Sequence, residues 1–251
     1  VDNTEKTNQE QLSLRATEFL AQFWDGIFTY AAIAAHNNTP TDVLELLSTH
    51  ESELVRSRVA VNPNTPISIL QSLASDPGDP VRENVATNPG ATLEILKTLM
   101  HDSAPGCRRS VAFHSNTTDE ILKELATDAD SMVRCYVASN PNTSQQILQK
   151  LSTDGYFEVR DAVAGNPNTS EDILLELSKD KDQYIVQAVA ANRNTPLEIL
   201  RNLSRSEHIY TAYSVASNLS TDLETLVELS KSDNDQVAKT AINTYIRKVF
   251  V

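Results

Sequence analysis

The sequence predicts an all-α solenoid of eight two-helix repeats, with a helical cap at each end. Three observations predict it. The dipeptide Val-Ala begins at Val59, Val85, Val111, Val137, Val163, Val189 and Val215, a step of 26 residues without insertion, with Ile33-Ala34 one step earlier. Behind each start comes a variant of Asn-Pro-Asn-Thr-Pro, from the run at His36 to Pro40 through to Asn218 to Asp222. Eleven residues after each start stands a leucine, from Leu44 to Leu226, and three residues later a second, from Leu47 to Leu229. Self-similarity at one fixed period is the signature of a repeat architecture. A unit this small cannot bury its own apolar stripe, so neighbours stack and share a continuous core.

Taken in order, residues 1–9 are polar and read as a frayed tail. Residues 10–32 read as an N-terminal helical cap. A helix from about Glu10 to Trp24 would place Leu12, Phe19, Leu20, Phe23 and Trp24 on its apolar side, Asp25-Gly26 would break it, and Ile27 to Ala35 would form the next helix. The single Trp and three of the six Phe fall in this segment, as suits a cap over the open end of a stack.

Repeats fill residues 33–240. In each, the first helix is expected to start at a Thr N-cap: Thr39, Thr65, Thr117, Thr143, Thr169, Thr195 and Thr221, with Ala91 the exception. Pro40, Pro66 and Pro196 follow at the expected first helical position, where a missing N–H costs nothing. Three residues after the Thr stand Asp42, Glu94, Glu120, Gln146, Asp172, Glu198 and Glu224, the spacing of a capping box. Ile, Leu and Leu then make one apolar stripe.

The second helix carries Val-Arg-x-x-Val-Ala, as at Val81-Arg82 to Val85-Ala86. At about 100° per residue those positions share a face, and the invariant Ala suits close approach of a neighbouring helix. Asn ends this helix in six of eight units and His36 and His114 do so in the other two, a position suited to a left-handed or side-chain-bonded cap. Beyond Thr240 the last second helix is expected to run on through Ile242, Tyr245, Ile246 and Val249, making residues 241–251 a C-terminal capping helix. The whole reads as one continuous domain.

One charged pattern interrupts the apolar face. Arg56, Arg82, Arg108, Arg134 and Arg160 follow the first Val (or Cys107) of their second helix. Asp76, Asp102, Asp128, Asp154 and Asp180 recur in the turn after the first helix. A buried charge needs a partner. Pairing within a unit would set Arg56 against His50 and leave Asp180 against Val186. Pairing between units, twenty residues apart, makes both partners vanish together, as Val186 then matches Ser206 and Ala212 matches Ser232. The second register is therefore expected: a structural ladder of Arg56 with Asp76, Arg82 with Asp102, Arg108 with Asp128, Arg134 with Asp154 and Arg160 with Asp180.

The consensus V-A-x-N-P-N-T-P-x-E-I-L-x-x-L-A-x-D-x-x-x-x-V-R resembles the leucine-rich repeat variant family, a bacterial relative of the HEAT and armadillo solenoids, over about residues 27–250. The resemblance implies a right-handed superhelix of paired short helices, one of them tight and 3₁₀-like, although a 26-residue period leaves room for two α-helices. Some family members carry an N-terminal iron–sulfur cluster held by cysteines. The first cysteine here is Cys107, so these residues hold no such cluster.

Composition bounds the function. The chain has 34 acidic and 21 basic side chains, a formal charge of −13. That sign works against a phosphate backbone, which needs clustered Lys and Arg, and favours basic or neutral partners. No run of about 18 apolar residues suggests a membrane span. Cys107 stands at a core position and Cys135 on the opposite, exposed face. Two cysteines without C-x-x-C spacing point to a reducing, cytoplasmic setting. No H-E-x-x-H, G-x-S-x-G or phosphate loop occurs, so neither a catalytic site, a metal site nor a cofactor is expected.

What remains is the outward face of the second helices, whose residues vary from unit to unit. If that face lines a groove, Phe113, Met132, Tyr136, Glu158 and Asp161 form its earlier part. Tyr184, Gln187, Tyr210 and Tyr213 form the later, aromatic part. Exposed aromatics among acids suit a peptide or protein partner. The expected function is a non-enzymatic protein-binding scaffold, monomeric. The alternatives are a nucleic-acid-associated helical-repeat protein, which the charge disfavours, and an accessory module of an iron–sulfur protein whose cluster segment is missing here.

Overall fold

A computed structural model describes residues 14–23 and 26–250. Every regular element among them is helical. Residues 14–20 are helical, about two turns, with Leu20 buried and the Phe19 and Phe23 rings 5.2 Å apart. The expected tail at 1–9, Leu12 and Trp24 lie outside the described residues. The chain divides into two compact units, one ending at Ile121 and the other starting at Leu122.

In the first unit α1 (Ile27–Ala35) precedes α2 (Thr41–Ser48), α3 (Glu53–Val61), α4 (Ile67–Leu73), α5 (Asp79–Thr87), α6 (Leu93–Leu99) and α7 (Pro105–Phe113). The division falls within α8 (Asp119–Leu125). The second unit continues with α9 (Ser131–Ser139), α10 (Gln145–Leu151), α11 (Phe157–Gly165), α12 (Glu171–Leu177) and α13 (Gln183–Ala191). It closes with α14 (Leu197–Leu203), α15 (Ile209–Ser217), α16 (Leu223–Leu229) and α17 (Asp235–Phe250). Helices α2 to α17 make eight two-helix repeats, an α-solenoid fold. Even-numbered helices are the first of each repeat and odd-numbered ones the second. Both are α-helical, so neither is the tight 3₁₀ form. The last helix runs unbroken from Asp235 to Phe250, with no boundary at residue 240.

The core is the expected stripe. Ile147, Leu148 and Leu151 are buried on α10, as are Ile173, Leu174 and Leu177 on α12. Each such side chain contributes about 2 kcal/mol by leaving water. Within a unit, successive second helices pack against one another while successive first helices barely touch. The fully buried Ala60, Ala86, Ala138, Ala164, Ala190 and Ala216 permit that approach, as a side chain without length keeps the axes close.

The turn between repeats differs from its sequence reading in two ways. The Thr residues do not cap the helix that follows them. Thr65 Oγ1 donates to the Val59 carbonyl at 2.6 Å, and Thr117, Thr143, Thr169, Thr195 and Thr221 make the same bond six residues back. Each hydroxyl thus adds a second donor to a carbonyl in the last turn of the preceding second helix, which also accepts from the Asn or His N–H three residues on. The first helix starts one residue later than expected, so Pro40, Pro66 and Pro196 are N-caps rather than first helical residues. Thr92 and Asp222 stand at that later position and do accept from an N–H three residues on. The acids Asp42, Glu94, Asp172, Glu198 and Glu224 fall in the first turn, one place early for a capping box, where they still favour the positive end of the helix.

The second difference concerns the asparagines. None of the described residues has positive φ, so the left-handed alternative drops out. Asn62, at φ −65° and ψ 123°, is extended and buried. Its Nδ2 donates to the Ala34 carbonyl at 2.7 Å and the His36 carbonyl at 3.0 Å, both one repeat back. Its Oδ1 accepts from Asn64 N–H at 2.9 Å. Asn88 repeats this in the first unit, and Asn166, Asn192 and Asn218 in the second. His114 performs the same task with different atoms: Nδ1 accepts from Asn116 N–H and Nε2 lies 3.0 Å from the Asn88 carbonyl. That pair of bonds selects the tautomer with the proton on Nε2.

The arginines take the twenty-residue register. Arg56 Nε and Nη2 donate to the Asp76 carboxylate at 2.6 and 3.0 Å. Arg82 binds Asp102 at 2.6 and 2.9 Å, Arg134 binds Asp154 at 2.6 and 3.0 Å, and Arg160 binds Asp180 at 2.7 and 3.1 Å. The remaining Nη1 turns back to the carbonyl six residues earlier, as from Arg82 to Asp76 at 2.7 Å. Each guanidinium therefore holds the carbonyl of its own turn and the carboxylate of the next. Arg108 makes the backward bonds to the Asp102 and Ser103 carbonyls at 2.8 and 3.2 Å. Asp128 lies across the division of the two units.

These contacts give the protein an acid limb with a defined sign. Arg82 holds Asp102, and Arg160 holds Asp180, below the ordinary carboxylate value of 3.8, against the opposing effect of burial. At Asp76 and Asp154 burial pushes upward, but the hydrogen bonds from Arg56 or Arg134 and from a turn N–H outweigh it, so both are lowered. Burial opposes the shift at Asp222 as well, yet bonds from Thr225 and Arg201 bring it to about 2. A carboxylate lowered on folding stabilises above its unfolded value, and that stability is lost as pH falls through the folded value. The urea midpoint should accordingly drop as pH is taken from 3.8 toward 2. The drop should be shallower in a double variant lacking the Arg82–Asp102 rung, and an equally steep curve would assign the acid limb elsewhere.

Candidate binding surface

The outward positions of the second helices follow from the same period. The second and fifth residues of each helix point away from the apolar Val and Ala positions. In α11 these are Glu158 and Asp161, in α13 Tyr184 and Gln187, and in α15 Tyr210 and Tyr213. The structure brings three of them together. Asp161, Tyr184 and Gln187, with Phe157, Ala188 and Ala191, line an open depression of about 320 Å³ between α11 and α13.

Tyr184 is 67% exposed and Phe157 44% exposed, so two aromatic faces border the depression. Asp161 is half-buried. Burial, and secondly the negative charge of Asp182, raise its carboxyl above the ordinary value. Its carboxylate has no cationic partner among the described residues, whereas the ladder carboxylates each have one. Asp182 is occupied as the N-cap of α13, accepting from Tyr184 N–H. Neighbouring Glu158 adds a further exposed acid, and its carbonyl accepts a weak bond from Cys135 Sγ at 3.5 Å.

The other candidates are dispersed. Met132 is exposed and Tyr136 half-buried on α9, and Phe113 is 64% exposed on α7 in the other unit. Tyr210 is 65% exposed, its ring 5.8 Å from that of His208. Tyr213 is partly buried and packs on the cluster of Leu200, Val215 and Leu226, so its ring serves the core. Cys135 is half-buried rather than fully exposed. Burial, then Asp161 and Glu158, raise its thiol, the opposite of an activated thiolate. Burial likewise pushes Cys107 up to about 12. Sequence reasoning missed Phe157, Ala188 and Ala191. A Phe opening a second helix, where other repeats carry Glu53, Asp79 or Ser131, was the available signal for the first.

No protein-family model and no curated protein matches the chain. Solved structures do. One described as "a leucine-rich repeat variant with a novel repetitive protein structural motif" superposes with a TM-score of 0.61, at 22% identity over 84% of each chain. The chain has the fold of a leucine-rich repeat variant. The Escherichia coli protein YibA superposes with a TM-score of 0.53, at 18% identity over 90% of this chain and 98% of its own. Likeness at these identities establishes architecture: a helical-repeat scaffold. Among the described residues no cluster of three or more His, Cys, Asp or Glu is placed to hold a metal ion, and no helix is long and apolar enough to cross a membrane.

Proposed function

We propose that this leucine-rich repeat variant fold is a non-enzymatic scaffold that binds an extended, basic segment of a partner protein in a reducing, cytoplasmic setting. The observation that carries the reading is Asp161: a half-buried carboxylate at the edge of a depression, bordered by two aromatic rings, with no cation of its own. Keeping such a charge partly out of water is costly unless a counter-ion arrives. A Lys or Arg side chain supplies one, and Tyr184 and Phe157 offer faces on which an aliphatic stem or a guanidinium can lie. Two free cysteines with suppressed reactivity suit a compartment in which thiols stay reduced.

Selection from a library of short random peptides should enrich Lys- and Arg-bearing sequences. Their binding should weaken by about tenfold in Asp161→Asn and again in Tyr184→Ala, and should fall with added salt. Asp161→Asn should leave thermal stability unchanged or slightly raised. A carboxyl raised on folding is destabilising while ionised, and the amide removes that charge. Enrichment of neutral or acidic peptides, or binding indifferent to both substitutions, would sink the reading.

A further inference from the structure

The ladder ends in an unfilled socket. Arg56, Arg82 and Arg134 occupy one setting: carbonyls six and five residues before each, and a side chain twenty residues after it. For Arg56 these are the His50 and Glu51 carbonyls and Asp76; for Arg134, the Asp128 and Ala129 carbonyls and Asp154. Two repeats on from Arg160 the equivalent residue is Ala212, and the corresponding positions are Ser206, Glu207 and Ser232. All four of these residues line one open cavity of about 430 Å³, together with Ile209, Asp233, Asn234 and Val237. In the intervening repeat the equivalent residue is Val186, whose side chain is buried.

We propose that this cavity is a binding site for a guanidinium group supplied from outside the chain. The backbone of the turn before α15 is that of the occupied rungs: Ser206 N–H bonds back to the Leu203 carbonyl as Asp76 N–H does to Leu73. Ser206 Oγ accepts from His208 N–H where Asp76 Oδ1 accepts from Gly78 N–H. The carbonyls that elsewhere receive Nη1 are thus held by the same turn. Ser232 keeps an oxygen where the carboxylate would be, and it too accepts from an N–H two residues on. Exposed Glu207 and Asp233 supply the negative charge that Ser232 lacks. No basic residue lines the cavity. A planar fork with five donors spread over three nitrogens matches this arrangement, whereas an ammonium presents three donors from a single point. The guanidinium can arrive as an arginine side chain of a partner protein or as a small free guanidinium compound.

The site is separate from the Asp161 depression, and the two fail separately: Asp161→Asn leaves this cavity intact. Amide shifts at Ala212 and Ser232, followed by NMR on the whole chain, read occupancy locally. The probes are N-acetyl-arginine amide, N-acetyl-lysine amide and a short arginine-centred peptide. The arginine amide should bind saturably, about tenfold more tightly than the lysine amide. Ser232→Asp, which restores the missing carboxylate, should tighten binding about tenfold further. Ala212→Val, which installs the residue the preceding repeat tolerates, should abolish it. A peptide binding more than tenfold tighter than the amide identifies a protein partner, and equal affinities identify a free guanidinium compound. The proposal is overturned if neither wild type nor Ser232→Asp shows saturable shifts, if lysine binds as well as arginine, or if Ala212→Val binds unchanged.

Discussion

Asn166→Ala should destabilise the second unit by about 3 kcal/mol, a large effect for one polar side chain. The amide is buried and makes three bonds: Nδ2 to the Ala138 carbonyl at 2.6 Å, Nδ2 to the Asn140 carbonyl at 3.0 Å, and Oδ1 from Asn168 N–H at 2.8 Å. Alanine takes the donor from the Ala138 carbonyl and the acceptor from the Asn168 N–H, and leaves the Asn140 carbonyl with the Thr143 N–H alone. Each unsatisfied group costs about 1–3 kcal/mol, partly relieved where the turn can relax. Asn166→Asp should be worse, because it sets a carboxylate oxygen against two carbonyl oxygens and takes a charge out of water. By contrast Asn192→His should cost only about 1 kcal/mol, since His114 already fills the equivalent position with an N–H toward one carbonyl and an acceptor for the turn. Urea denaturation of the three variants tests the order. Equal losses for His and Ala would show that volume, not hydrogen bonding, governs this position.

Arg82→Ala should cost about 3 kcal/mol in the first unit. The side chain is 12% exposed and its partner Asp102 8% exposed, so removing the guanidinium strands a carboxylate that retains only the Ala104 N–H and the weak Cys107 thiol donor. It also strips the Asp76 and Pro77 carbonyls of their donor. Breaking a buried pair from one side is the expensive way to lose it. Removing both members together, as Arg82→Met with Asp102→Leu, should return the protein to within about 1 kcal/mol of its starting stability. A single-variant loss below about 1 kcal/mol would instead mark the rung as an ordinary surface pair. The ladder's main contribution is then register: a slip by one residue would mismatch every Arg with its Asp in the stack.

The period, the two helices and the ladder spacing were legible because each is a relation between residue types at fixed separations. The twenty-residue register could be chosen over the six-residue one from co-disappearance alone, at Val186 with Ser206 and at Ala212 with Ser232. Its backward half could not, because the Nη1 bond goes to a carbonyl, and carbonyls leave no mark on a sequence. The same blindness explains the Thr residues. A hydroxyl bonded six residues back to Val59 and one bonded forward to a helix N–H look identical in the chain as Asn-Thr-Pro. For the asparagines the sequence left a left-handed and a side-chain-bonded cap both open; the second is found, with side chains reaching 26 and 28 residues away. Of the outward residues, Asp161, Tyr184 and Gln187 converge because their helices are neighbours with equal register. Tyr213 occupies the same register as Gln187 yet packs against the cluster of Leu200, Val215 and Leu226, as Leu203 and Tyr245 do.

The asparagine contacts carry a consequence for how such a chain can change. Asn62, Asn88, Asn166, Asn192 and Asn218 each join residue n to residues n − 26 and n − 28, and Arg56, Arg82, Arg134 and Arg160 each join n to n + 20 and n − 6. None of these rules refers to an absolute position, so the chain contains no ruler. Cutting out residues 167–192 would join Asn166 to Arg193 and hand Asn218 the carbonyls of Ala164 and Asn166, the very partners Asn192 gave up. A loss or gain of one full period is therefore silent to the asparagine contacts, although this particular cut would also remove Asp180 and leave Arg160 facing Ser206, whereas a loss of one residue within a turn disturbs both patterns. Copy number is free to drift by recombination between repeats, while the length of each copy is held fixed by its neighbours.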